Sequence, residues 1–433
     1  MRLPPTEWLE KMIRIETVSH RSNEEVVRFL VPLLEETGLK VEEQKVTENG
    51  ETFTNLIAFN QAVDAKDLLV LNTHLDTVSA GRLEDWTKTD GNPFRATRVR
   101  DRIYGLGSAD VKLDFLLKLW AARQAKPWGR PFALVGTFGE ERGLVGAMHL
   151  LKEKKVKPRY ALVGEPSNLE LIYAHKGHLI TTVAVELGIK ASQLKEKPAV
   201  KRWKGKAAHS STPDLGDNAI RKGLTDIFKR GYGIVRLTGG TDSNRIPDAC
   251  EAEVISRQTE GTKKLFAFIR SFDELARDLK KRRDTRFSPA ISTLSLNQVE
   301  TVDGEIRLTF DLRSLPDVDT VRFRERMARA FADVGCRVIQ SSQDEALRGN
   351  KNGRFMQAAS KALSACGVNV VKKTKASSTE AALYNQHGAE AIVFGAGLSV
   401  GNVHRPNEYN SLRQMGVATQ FYTRLLKTPV EEL

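Results

Sequence analysis

Residues 68–76 read LLVLNTHLD, and the fold turns on how this stretch is read. Leu68 to Thr73 form a short run rich in Leu and Val, which predicts a buried strand. Side chains alternate along a strand, so His74 and Asp76 project to the same side just past its end. Outward from here, residues 7–15 and 23–36 carry apolar positions at helical spacing, with Pro32 placed to kink the second helix. Residues 54–59, 132–138 and 160–163 predict further buried strands, and residues 111–124 and 143–153 predict helices. Such alternation predicts a mostly parallel sheet covered by helices, in which ligands sit at the carboxyl ends of the strands.

The pattern changes from about Gly177. Strands are expected at 178–187, 233–237, 252–256, 291–299, 306–312 and 336–340, with helices at 217–229, 263–283 and 318–333. These pieces suit an α+β unit with helices on one face of an antiparallel sheet. After Gln343 the αβ pattern resumes, with helices at 353–364 and 379–387, a strand at 390–394 and a last helix at 412–427. The expectation is a discontinuous α/β domain over residues 1–177 and 344–433, with an inserted α+β domain at 178–343.

A chain of 433 residues is long enough for more than one core. With 28% charged and 40% hydrophobic residues, disorder and fibrous repeats are excluded. The longest mostly apolar stretches, such as residues 391–400, fall short of the ~18 residues of a membrane helix. Glu7, Glu10, Lys11 and Arg14 interrupt any apolar leader, so a cytoplasmic location is expected. Cys250, Cys336 and Cys366 are widely spaced and form no CxxC, which argues for buried thiols rather than disulfides or a thiolate zinc site. The net charge of +13 is concentrated at residues 190–206 and 277–286. Such a surplus permits an acidic substrate, a nucleic acid or an anionic surface. Few aromatics (Trp203, Phe266, Phe268, Phe272) interleave with the basic clusters, and no nucleic-acid motif is present, so a solvated basic face is the preferred reading.

Several acids and histidines fall at predicted strand ends. A carboxylate at Asp76 can hold the imidazole of His74 in one tautomer while its other nitrogen binds a metal. In residues 104–112, YGLGSADVK, two glycines permit a tight path and Asp110 opens a helix. Asp110 suits either a helix N-cap or a carboxylate bridging two cations. Gly139-Glu140-Glu141 ends the strand at 132–138; in extended backbone these two side chains diverge, so one can bind metal while the other faces a water. Glu165 follows the strand at 160–163, and His404 lies in the loop GNVHRPNE (401–408). A mixed set of two His and three acids with one bridging carboxylate suits two zinc ions, with cobalt or manganese as alternatives.

The order HxD, GxGxxDxK, EE, GEP and a late His-x-x-Asn-Glu resembles metallopeptidase family 20, whose members include acetylornithine deacetylase, succinyl-diaminopimelate desuccinylase, aminoacylase and glutamate carboxypeptidases. The resemblance extends over the middle segment through residues 205–213, GKAAHSSTP, and Asn218-Ala219-Ile220. It implies a zinc-exopeptidase-like catalytic domain and a ferredoxin-like lid that also dimerises. It implies that His74, Asp110, Glu141, Glu165 and His404 bind two metals, with Asp110 bridging, Asp76 orienting a ligand and Glu140 as general base. The lid histidine, His209, would stand near the developing oxyanion, often from a partner subunit. Asn244 and Arg313 would contact substrate, with Arg313 gripping a carboxylate or else pairing with Asp311 or Asp317. Gly395 and Gly397 would offer backbone groups to the same carboxylate.

The sequence departs from the family pattern at Val111 and Leu113, at Ser377-Ser378-Thr379-Glu380 in place of a GTDA-like run, and at Arg405-Pro406. None of these is a proposed ligand. His20, His149, His175, His178 and His387 fall outside the metal pattern and read as surface or packing residues. The implied function is amide hydrolysis of a small molecule bearing a carboxylate, of the acetylornithine deacetylase or succinyl-diaminopimelate desuccinylase type. A carboxypeptidase or dipeptidase of the same family is the alternative, and a non-catalytic metal-binding relative is the reading from a different class. A homodimer through the lid is expected, with neither membrane nor nucleic acid as partner.

Overall fold

The computed structural model describes residues 3–188, 194 and 196–429. In chain order its elements are α1 (Thr6–Arg14), α2 (Glu24–Glu36), β1 (Lys40–Glu48), β2 (Glu51–Phe59), β3 (Leu69–His74), β4 (Thr97–Val99), β5 (Arg102–Tyr104), α3 (Lys112–Gln124), β6 (Phe132–Thr137), α4 (Val145–Lys152), β7 (Tyr160–Gly164) and β8 (Leu171–His175). Next come β9 (Gly177–Glu186), β10 (Ala199–Lys204), β11 (Ala208–His209), α5 (Ala219–Arg230), β12 (Gly233–Gly239), β13 (Arg245–Ile246), β14 (Ala249–Ile255) and α6 (Glu260–Lys280). The rest are β15 (Thr293–Val302), β16 (Glu305–Ser314), α7 (Thr320–Ala332), β17 (Arg337–Asp344), α8 (Arg354–Ser364), β18 (Lys372–Lys375), α9 (Ala381–Gln386), β19 (Glu390–Phe394), β20 (Tyr409–Ser411) and α10 (Leu412–Lys427).

The chain divides into two compact units. The first comprises Met1–Ala174, Leu347–Thr374 and Thr379–Leu433, and the second His175–Ala346 with the short segment Lys375–Ser378. In the first unit an eight-stranded sheet runs β1-β2-β6-β3-β7-β19-β8-β18. Its four central strands, β6, β3, β7 and β19, are parallel to one another. Their side chains are almost all buried, as expected of strands covered on both faces. Antiparallel strands extend this parallel centre on both sides: β1 and β2 form a hairpin paired to β6, and β8 runs against β19. That hairpin turns through Asn49 (φ 50) and Gly50 (φ 83), the two-residue turn whose positive φ values match the strand twist.

Parallel pairing has a direct consequence for chemistry. His74 lies opposite Thr137, and Phe394 opposite Gly164, so the carboxyl ends of all four central strands emerge along one edge of the sheet. The segments following them start at Leu75, Phe138, Glu165 and Gly395. Behind β3 lies α3, a helix buried almost all round, whose Lys112, Asp114 and Lys118 are as enclosed as its leucines.

The second unit is a seven-stranded antiparallel sheet, β10-β14-β12-β15-β16-β9-β17. One face carries the helices: Phe272 of α6 and Phe331 of α7 pack on Phe310 of β16, and Gly223 of α5 approaches Cys250 of β14. Of the basic residues expected around 190–206, Lys190 and Lys195 lie outside the described residues, while Arg202 pairs with Glu251 at 2.6 Å. The described helices include none long and apolar enough to cross a membrane. Cys250, Cys336 and Cys366 are free thiols, the first two buried.

Arg313 and Asp311, both on β16, form a bidentate pair in the interior of the second unit, with Nε and Nη2 each 2.9 Å from a carboxylate oxygen. Ser210 donates to the same carboxylate at 2.8 Å, and His178 lies 3.1 Å from it. Burial works against the charge, but the Arg313 guanidinium and His178 hold the Asp311 carboxyl well below the usual carboxylate range. A carboxyl so depressed contributes stability above the ordinary carboxylate pKa of about 4, and that contribution is lost as pH falls toward the folded value. We predict that Asp311→Asn lowers unfolding free energy by about 3–5 kcal/mol at neutral pH, because it leaves a buried guanidinium uncompensated. The difference from the parent, measured by denaturant titration, should shrink below pH 4.

Candidate metal centre

The edge where the central strands end gathers most of the acids and histidines singled out in the sequence. β3 delivers His74 as its last residue, with Asp76 two residues on. The turn after β6 passes through Gly139 at φ 65, a left-handed conformation that favours glycine, and presents Glu140 and Glu141. Asp110 comes from the loop between β5 and α3, immediately before a cis Asp110–Val111 peptide bond. His404 reaches in from the long loop between β19 and β20, itself at φ 57.

Asp110 is the centre of the arrangement. Its Oδ1 lies 3.3 Å from His74 Nε2 and its Oδ2 lies 3.2 Å from His404 Nε2. His404 Nε2 is also 3.0 Å from Glu141 Oε1. Ligand atoms of His74, Glu140 and Glu141 fall within 4.8 Å of one another, and so do those of Asp110, Glu141 and His404. One carboxylate thus addresses one imidazole with each oxygen, and Glu141 belongs to both groups. Mixed N/O sets of this kind suit zinc and neighbouring divalent metals.

Asp76 lies fully inside, 2% exposed, and works on three groups at once. Its backbone oxygen is 3.1 Å and its Oδ1 3.5 Å from His74 Nδ1, which leaves Nε2 to face Asp110. The amides of Glu140 and Glu141 donate to its two carboxylate oxygens at 3.0 and 3.2 Å, and Ser19 donates at 2.5 Å. Although burial opposes ionisation, these bonds and His74 bring the Asp76 pKa below its ordinary value. Asp76 therefore sets the path of the Glu140-Glu141 turn as well as the ring of His74. Ser19, which carried no signal in the sequence, completes its coordination.

Electrostatics tests whether cations fit here. Burial, with the charges of Glu141, Glu165 and Glu380, pushes the Glu140 carboxyl well above its usual value. Glu141 is raised too, by burial and by Asp110 against the hydrogen bond from His404. Burial would lower His404, yet its bonds to Asp110 and Glu141 raise it to about 11. His74 is likewise raised despite burial, through Asp110, Asp76 and Glu140. Carboxylates this close disfavour one another's ionised state, and each imidazole is drawn toward the charged form; a divalent cation in each group relieves both tendencies. The donor set fits two metals.

Glu165 is buried directly after β7 and lies outside both tight groups, although its charge reaches Glu140. Gly395 and Gly397 serve a purpose different from the one expected. The Gly395 amide donates to Ser167 Oγ at 3.0 Å, the Gly397 amide donates to Gln414 Oε1 at 2.8 Å, and their carbonyls accept from Leu169 and Asn168. Each of these backbone groups is engaged within the fold. A Cβ at Gly395 would come within 2.6 Å of the Glu165 carbonyl, which explains the glycine by packing against that residue.

His209, Asn244 and Arg313 belong to the second unit. His209 is exposed on β11, its Nδ1 2.7 Å from Ser211 Oγ; Asn244 is exposed in the turn before β13. Arg313 makes the ion pair with Asp311 described above. Sequence reasoning left Glu408 and Glu380 without roles, yet both are buried acids beside the centre. Their signal was present: each is a carboxylate inside or adjoining an apolar or motif stretch where solvent exposure was not to be expected.

The family described as peptidase family M20/M25/M40 matches residues 70–428. An acetylornithine deacetylase of Klebsiella pneumoniae is 29% identical over 271 residues, spanning 57% of this chain and 64% of that enzyme, so somewhat under two thirds of the relative's length is matched. Among solved structures, an aminoacylhistidine dipeptidase from Vibrio alginolyticus has a TM-score of 0.68 at 15% identity, covering 97% of this chain and 95% of that one. An M20-family metallo-carboxypeptidase from Sulfolobus solfataricus has a TM-score of 0.65 at 18% identity, covering 97% and 98%. Because the family match runs from β3, which ends in His74, to the last turn of α10, the chain belongs to peptidase family M20/M25/M40.

Proposed function

We propose that this chain removes the acyl group from an N-acyl amino acid or related small molecule bearing a free carboxylate, in the manner of an acetylornithine deacetylase or succinyl-diaminopimelate desuccinylase. The observation that carries this reading is Asp110, with one oxygen 3.3 Å from His74 and the other 3.2 Å from His404, and Glu140 beside them. Relatives named acetylornithine deacetylase support the subclass. His74, Asp110, Glu141, Glu165 and His404 would hold two zinc ions, or cobalt or manganese. When bound, the pair would supply Lewis acidity, polarising the amide carbonyl and bringing the pKa of a water toward ~7.

The chain's own residues then do the following. Glu140, a half-buried carboxylate whose backbone amide donates a hydrogen bond to Asp76, takes the proton of the attacking water and returns it to the leaving nitrogen. Asp76, ionised, keeps the Glu140-Glu141 turn and the His74 ring oriented through both steps. His209 would stabilise the developing oxyanion from a partner lid, and Asn244 and Arg313 would contact substrate; the Asp311 pair orients the Arg313 guanidinium in this assignment. We further propose a cytoplasmic enzyme that is a homodimer through its second unit.

A second reading, dipeptidase or carboxypeptidase, is favoured by the similarity of fold to such enzymes across 97% of the chain. A panel of N-acetyl and N-succinyl amino acids against dipeptides separates the two: deacylation predicts higher kcat/KM for the acyl amino acids, and the reverse order selects the peptidase. Chelator treatment should abolish turnover, and added zinc, cobalt or manganese should restore it. Glu140→Gln should lower kcat by on the order of 10² to 10⁴ while two metal equivalents still bind. Equal rates in variant and parent would remove Glu140 from the mechanism.

A further inference from the structure

Glu408 is a side chain to which the mechanism above gives no part, and its surroundings are unusual. It is 1% exposed. Its Oε1 accepts from two successive amides, those of Ala109 at 2.8 Å and of Asp110 at 3.1 Å. Its own carbonyl accepts from the Gly105 amide at 3.0 Å. Two residues on, Asn410 donates to the Ser108 carbonyl at 2.9 Å, and β20 pairs with β5, Tyr409 opposite Tyr104. The loop that carries Asp110 is therefore fastened at Gly105, Ser108, Ala109 and Asp110 to a single segment, residues 408–410.

The same segment terminates the loop that carries His404. Asn402 closes that loop by donating to the carbonyls of Leu398 and Tyr409, at 2.9 and 2.8 Å, and by accepting from the Tyr409 amide. Asn407 ties it to Asp85 and Lys88. His404 and Asp110, which approach to 3.2 Å, are thus held by one short piece of chain with Glu408 as its inward arm. The fully buried Lys112, whose Nζ donates to the Ile15 carbonyl at 2.8 Å, lies near the Glu408 carboxyl.

Two amides converging on one oxygen fix the direction of the backbone on both sides of Ala109, and hence the point and direction from which the Asp110 side chain leaves it. A neutral carbonyl oxygen at the same position can accept both bonds, whereas a shorter carboxylate cannot reach them. We propose that Glu408 is a positioning residue for the bridging carboxylate: it sets Asp110 against His404 so that the group formed by Asp110, Glu141 and His404 binds its cation. This rests on the dinuclear reading of the centre.

Cobalt(II) titration of the chelator-stripped full chain, followed by visible absorption and calorimetry, tests it with Glu408→Asp, Glu408→Gln and thermal melting of each. The parent should bind two equivalents; failure to do so would refute the dinuclear reading itself. With that satisfied, Glu408→Asp, which retains the carboxyl group, should weaken the second equivalent roughly 10- to 100-fold and change the absorption of the bound ion, as loss of an outer hydrogen-bonding partner does at metal sites. Glu408→Gln, which retains the acceptor, should stay within about 3-fold of the parent, a small fraction of that range. Parent-like affinity in Glu408→Asp, or a loss in Glu408→Gln equal to or larger than that in Glu408→Asp, overturns the proposal. A purely structural role would order the melting temperatures without imposing this order on cobalt affinity.

Discussion

The constraint on which the rest depends is that one carboxylate must face two imidazoles that are 330 residues apart in sequence. Asp110 does so, oxygen by oxygen, at 3.3 and 3.2 Å. A carboxylate can serve two partners in this way only if its plane is fixed, and no torsion within Asp110 itself can fix it. The surrounding structure supplies the orientation: Glu408 from one side through the amides of Ala109 and Asp110, His74 from the end of a buried strand, and His404 from a loop closed on itself by Asn402. The centre is a property of the sheet edge as a whole.

Parallel strands make that edge available. In a parallel sheet every crossover returns the chain to the same starting side, so the residues following β3, β6, β7 and β19 emerge together. Side chains there are neighbours however far apart they lie in sequence. Acids gathered at such a place raise one another's pKa, and Glu140 shows this through the charges of Glu141, Glu165 and Glu380. Asp76 and Asp110 are the exceptions, because the oxygens of Asp76 are spent on two amides, a hydroxyl and an imidazole, and those of Asp110 face two imidazoles that hold it below the usual carboxylate range. Crowding prepares the outer acids for cations, while Asp76 remains an ionised anchor.

Much of this was legible in the sequence because the strands preceding the ligands are fully buried. LLVLNT and FALVGT announce themselves as apolar runs, and the residues at which they stop, His74 and Glu140-Glu141, stand out against them. What escaped was written in polar letters. β1, KVEEQKVTE, and β10, AVKRWK, lie at the edges of their sheets, face solvent, and need no apolar pattern to pair. β1 enters the sheet through the hairpin at Asn49-Gly50, appended to the parallel centre by way of β2. Gly395 and Gly397 looked like donors to a substrate because glycines near a site expose their backbone; only the contacts of Ser167, Asn168 and Gln414 show that the fold already uses it.

The hardest residues to read were charges inside α3. Asp114 and Lys118 are spaced as an exposed i,i+4 pair, yet they lie 2.6 Å apart in the interior. A buried ion pair of this kind adds little or nothing to stability compared with packed apolar side chains. Its contacts account for its presence. Lys118 donates to the Asn72 carbonyl at 2.5 Å and to Thr73 Oγ1 at 2.8 Å, Thr73 donates to Asp114 at 3.0 Å, and Tyr422 donates to the other Asp114 oxygen at 2.5 Å. Asn72 is held on its far side by Glu380 and by Tyr384 at 2.9 Å. Every one of these bonds falls on the two residues before His74 or on the pair that reaches them. Gly164, the residue before Glu165, has no room for a Cβ because Asp114 and Lys118 fill that space. The same buried pair therefore shapes the ends of both β3 and β7, so the charges that contribute least to stability are placed where two strands hand over to His74 and Glu165.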